Sequence, residues 1–129
     1  MRLQQGYFGR GRVMAMASKR YPIVFGNFDN GEAFDKIFAA VSQYGFEDNS
    51  WHNDTQPCMV QDGGHGFQLT IWVDYKDPDL AEYVDARKDG SVKQFIFCEQ
   101  NTDTFEITEE WQHDDVDALI AHVKKVMEA

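Results

Sequence analysis

The stretch Phe67-Gln-Leu-Thr-Ile-Trp-Val-Asp-Tyr75 constrains the fold more than any other part of the chain. Apolar and polar side chains alternate along it. Phe67, Leu69, Ile71, Val73 and Tyr75 therefore point to one side, and Gln68, Thr70, Trp72 and Asp74 to the other. A strand with one apolar side needs an apolar layer against that side. Two segments can supply it. Phe34, Ile37, Phe38, Val41 and Tyr44 recur at helical spacing. Asn30 precedes them as an N-cap with Glu32 in the first turn, and Gly45 stands where a left-handed terminator belongs. Val116, Leu119, Ile120, Val123 and Met127 form a second stripe, opened by His113-Asp114-Asp115 at the positive end of its dipole.

The remaining segments read as strands and turns. Cys58–Gln61 is a short strand between two turn-rich stretches, with Ser50–Asn53 as its candidate neighbour. Val92–Glu99 is apolar on both parities, and Asn101-Thr102-Asp103 turns it into a return strand from Thr104 to Thr108. Tyr21–Phe28 is rich in β-formers and is expected to open the domain as a strand covered on both faces. Asp77-Pro78 starts a short helix running through Val84, with an edge strand ending at Lys88-Asp89-Gly90 as the alternative. Consecutive strands joined by short turns give an α+β fold: a mostly antiparallel four- to five-stranded sheet with two amphipathic helices packed on one face.

At 129 residues the chain has one domain's length, and 18 aromatic residues can fill its core without metal or disulfide. Its net charge of −10 averages two unlike pieces. Residues 1–20 hold five basic side chains and no acidic ones, in a Gly-rich, aperiodic run that reads as a flexible leader. Residues 21–129 form a single acidic domain with 7 basic and 22 acidic side chains. So acidic a domain repels polyphosphate and anionic lipid, which argues against direct nucleic-acid binding by 21–129 and against membrane association. No apolar run approaches the roughly 20 residues that span a bilayer. Cys58 and Cys98 lie in apolar surroundings with no secretory signal ahead of them, so free thiols in the cytoplasm are expected.

Three patterns bear on chemistry. His52, Cys58 and His65 carry zinc-type donor atoms, but their His-x5-Cys-x6-His spacing matches no common structural zinc pattern. A turn histidine and a core cysteine account for them as well, so no metal and no cofactor is expected. Asp62-Gly-Gly-His-Gly66 lacks the lysine and the following helix of a phosphate loop. Trp72 stands on the polar side of its strand. Ile96 and Cys98 (or Phe95 and Phe97) join it across the sheet, and Trp51 is available from the preceding loop. An apolar centre with an aromatic anchor and a polar rim is how interfaces are built.

The expected function is that of a small cytoplasmic, non-enzymatic binding or accessory protein that works through protein contacts. Self-association into a homodimer through Trp72, Ile96, Cys98 and Trp51 comes first. Two alternatives stand beside it. One is an acidic decoy that occupies a nucleic-acid-binding enzyme or a basic toxin. The other is a small metal-dependent or Cys/His hydrolase built on the His52–His65 region.

Overall fold

The computed structural model describes residues 20–51 and 54–129. A five-stranded antiparallel sheet runs in sequence order: β1 (Glu47–Asp48), β2 (Cys58–Asp62), β3 (Phe67–Val73), β4 (Phe95–Asn101) and β5 (Ile107–His113). Among the described residues four helices accompany it: α1 (Tyr21–Val24), α2 (Gly31–Val41), α3 (Val84–Asp89) and α4 (Val116–Met127). The fold is α+β.

One row of cross-strand partners, Met59–Ile71–Phe97–Trp111, shows which side of the sheet is the core. Met59, Ile71, Val73, Phe95 and Phe97 are buried against Phe34, Ile37, Phe38 and Val41 of α2 and Leu119 and Val123 of α4. The two long helices therefore share one face. Deleting a fully buried aromatic such as Phe34 or Phe97 should cost about 3–5 kcal/mol, the usual transfer-plus-cavity penalty. Lys36 of α2 bridges to Asp117 of α4 at 2.9 Å across the outside of the helix pair.

The helix ends follow from local chemistry, with two departures, at Asn30 and after Leu80. Gly45 adopts φ 93° after a turn of 3-10 helix at Ser42–Tyr44, where a Cβ would be strained. Asp115 caps α4 by accepting from Ala118 N–H. Asn30 precedes α2 but does not cap it: its amide turns inward, donating to Asp74 O at 3.0 Å and Gln94 Oε1 at 2.7 Å. Asp77 begins only a 3-10 turn at Pro78–Leu80, accepting from Asp79 N–H; the helix expected to run on through Val84 stops there because Ala81 is extended, and α3 starts afresh at Val84.

Three further sequence expectations need correction. Tyr21–Val24 is one helical turn and not a strand, and Ile23 is 86% exposed. The sheet edge is already taken by β1. The opening segment instead donates Arg20 N–H (2.5 Å) and Tyr21 N–H (2.9 Å) to the buried carboxylate of Asp48, while the Tyr21 ring leans on Phe34. Ser50 is no strand residue; its hydroxyl accepts from Cys58 N–H at 3.2 Å, just beyond the two-residue β1. His113 ends β5 rather than starting the last helix.

Candidate functional site

The residues singled out around Trp72 come together on the sheet face opposite α2 and α4. Strand pairing sets Cys58, Trp72, Ile96 and Gln112 in one row, and Val60, Thr70, Cys98 and Glu110 in the next. Ile96 and Cys98, not Phe95 and Phe97, thus accompany Trp72. Much of this face is buried. Trp72 and Ile96 are half-buried, whereas Cys58, Thr70 and Cys98 are buried. Thr70 Oγ1 has no hydrogen-bond partner among the described residues. Trp51 lies off this row, in the loop after β1, 47% exposed with the Arg20 guanidinium 5.5 Å from its ring centroid.

The thiols are poorly suited to nucleophilic work. Burial pushes Cys58 up to about 12, helped by the charges of Asp54 and Asp48. Burial likewise raises Cys98 to about 11, with Glu110 adding to the rise. A nucleophilic cysteine needs the opposite, a thiolate stabilised by nearby positive charge. Among the described residues no group of three or more His, Cys, Asp or Glu side chains could hold a metal ion. His52 lies outside the described residues, and His65 sits exposed in the β2–β3 turn.

Sequence reasoning missed a second constellation, on the core side beyond α4. His113 at the end of β5 and His122 in the middle of α4 meet through Nε2 and Nδ1 at 2.9 Å, their rings at 86°. One ring N–H donates to the other ring's lone pair. Trp111 and Phe97 present their rings to His122 at 4.9 and 5.7 Å. Burial and the neighbouring His113 and Lys125 lower the pKa of His122. Beside this cluster an open groove of about 810 Å³ runs between β5 and α4. Trp111, Glu109 and Glu99 form its floor; Ala118, Ala121, His122, Lys125 and Val126 form its wall, with Ala129 at one end.

The signal for this side is a charge run. Residues 94–123 contain eight acidic side chains and no Lys or Arg. Asp114 and Asp117 are balanced by Lys93 and Lys36 from elsewhere. Glu106, Glu109 and Glu110 stand exposed along β5 and its turn, together with Phe105 (73% exposed) and Ile107 (49%). Phe105 has φ 64°, a left-handed conformation that costs a non-glycine residue roughly 1–2 kcal/mol.

The chain matches no protein-family model, no curated protein and no solved structure. Among the described residues no helix is long and apolar enough to cross a membrane.

Proposed function

We propose that this protein is a non-catalytic binding module that captures a cationic protein partner. The observation that carries the reading is the acidic sheet edge formed by β5 and its turn, where Glu106, Glu109 and Glu110 meet no Lys or Arg among the described residues and Phe105 and Ile107 are displayed among the carboxylates. A surface of one sign steers an oppositely charged partner and repels wrong ones, while exposed apolar side chains supply the contact area. The same carboxylates on an edge strand oppose pairing with a second, equally acidic copy. A nucleic-acid-binding enzyme or basic toxin, whose own site is cationic, is one form this partner takes. The two free thiols support a reducing compartment such as the cytoplasm.

The test compares two charge reversals of equal size. Glu106→Lys/Glu109→Lys/Glu110→Lys should weaken binding of a Lys/Leu peptide at least tenfold. Glu47→Lys/Glu82→Lys/Asp85→Lys, on exposed sites elsewhere, should weaken it little. Equal losses would mean diffuse charge attraction and would sink the reading.

A second reading is self-association through the other sheet face, favoured by the partial exposure of the neighbours Trp72 and Ile96. Trp72→Ala should then lower the sedimentation-derived association constant without unfolding the monomer. A wild type that stays monomeric at every concentration removes this reading.

A further inference from the structure

Building on the binding-module reading, we propose that the groove between β5 and α4 receives a basic amphipathic helix of a partner protein. The groove lies on the helix side of the sheet, level with α4. Its floor of Trp111, Glu109 and Glu99 is core-facing sheet surface that α4 covers only in part: the Trp111 ring touches His122 yet stays half-buried, and Glu109 is exposed. One turn of a helix about 10 Å across fills roughly 400 Å³, so the 810 Å³ space matches about two turns of a third helix lying beside α4. Ala118 and Ala121 are exposed on the wall. Their small side chains allow an incoming axis to approach to about 8 Å, the close end of helix packing distances. Trp111, Ala118, Ala121 and Val126 would meet its apolar stripe.

Charge selects the occupant. Two carboxylates on the floor face a single cation, Lys125, on the wall. The C-terminal end of α4, negative by its dipole, closes the same end of the groove as Ala129. A second copy of this domain would bring 22 acidic and only 7 basic side chains against this surface. The chain's own N-terminal segment starts from Arg20, which is held to Asp48 at the β1 edge. That edge lies four strand spacings, roughly 19 Å, from β5, a span that a segment of this length can cross, so the N-terminal segment is a competing occupant that the experiment must separate from a partner.

The experiment is a titration of the full-length, 15N-labelled chain, followed by NMR. The probes are a 14-residue Lys/Leu/Ala peptide with leucines at helical spacing and its twin with every Lys replaced by Glu. The cationic peptide should bind saturably at 1:1, shifting the Trp111 indole N–H and the amides of Ala118 and Ala121. Ala121→Gln should weaken it at least tenfold, and Ala39→Gln, an exposed helical alanine on α2, should leave it unchanged. The Glu twin should not bind. Saturable shifts centred on Trp72 and Ile96, or equal binding of both peptides, overturn the groove assignment while a binding module survives. Non-saturating shifts spread over all the acidic residues overturn the groove assignment and with it specific capture. Absence of any binding by either peptide overturns both. Concentration-dependent shifts of Trp111 in the protein alone would give the groove to a second copy. Overhauser contacts from Trp111 to residues 1–19 would give it to the chain's own N-terminal segment. Either result refutes the proposal.

Discussion

Removing the Arg87 guanidinium should be among the most destabilising single changes outside the core. Arg87 Nη1 donates to Asp74 Oδ2 at 2.7 Å, and the two side chains are only 5% and 9% exposed. A second guanidinium nitrogen donates to Lys76 O at 3.3 Å, and Tyr75 N–H occupies the other Asp74 oxygen at 2.8 Å. Arg87→Met keeps the aliphatic stem and deletes the charge, stranding a buried carboxylate. Breaking such a pair from one side costs about 3–5 kcal/mol, against 0–1 for an exposed pair. For a domain of this size that corresponds to a fall in Tm of roughly 10–20 °C. The loss belongs to the stranded charge, so Arg87→Met/Asp74→Leu should recover most of it. Urea unfolding followed by circular dichroism at pH 7, on the wild type, both single variants and the double, measures the coupling. An Arg87→Met loss below about 1 kcal/mol, or two losses that simply add in the double variant, would refute the buried-pair reasoning.

His122 has its pKa lowered by burial, His113 and Lys125, so the folded state binds its proton less readily than the unfolded chain. Its contribution is complete above the unfolded value near 6.5 and shrinks as pH falls below it. His122→Gln should therefore flatten the decline in urea-determined stability between pH 7 and 5; an unchanged slope contradicts this. Phe105→Gly relieves a left-handed φ and should leave stability level or raise it by up to about 1 kcal/mol in thermal melts, while weakening capture of a cationic partner. A clear loss of stability would mean that the ring is held by the fold. Cys58 and Cys98 are buried with raised pKa values, so Ellman's reagent at pH 8 should modify them only as fast as the protein opens. Modification much faster than unfolding would show that they are accessible in the native state.

The parts legible in the sequence are those with a strong period and a chemically distinct end. The five-residue stripe from Phe34 to Tyr44, stopped by Gly45, and the alternation from Phe67 to Val73 each bury the side their period specifies. The Tyr21–Phe28 run misled because β-rich composition says nothing about whether a sheet edge is free. Here Asp48 captured the backbone N–H groups of Arg20 and Tyr21 instead. The inward turn of the Asn30 amide was equally invisible, since its partners lie 44 and 64 residues away. The two-sided apolar strand left open whether Ile96 and Cys98 or Phe95 and Phe97 share the face of Trp72, and only the cross-strand register decides for the former. The apolar surroundings of the two cysteines, by contrast, did announce their burial. The His113–His122 contact joins a strand end to a helix middle across nine residues and has no local signature. Only the cation-free run from 94 to 123 pointed toward the groove beside it.

The strict neighbour-to-neighbour order of the sheet has a consequence for how the protein is made. Every strand pairs with the one synthesised just before it, so each hairpin can close soon after its second strand leaves the ribosome. The core cannot close on that schedule, because Leu119 and Val123 arrive with the last helix, after the whole sheet. Until then the Ile71–Phe97 row faces solvent on the side that α4 will occupy. A nascent chain stalled before Val116 should therefore be protease-sensitive and bind hydrophobic dyes, and release of the final helix should abolish both properties together.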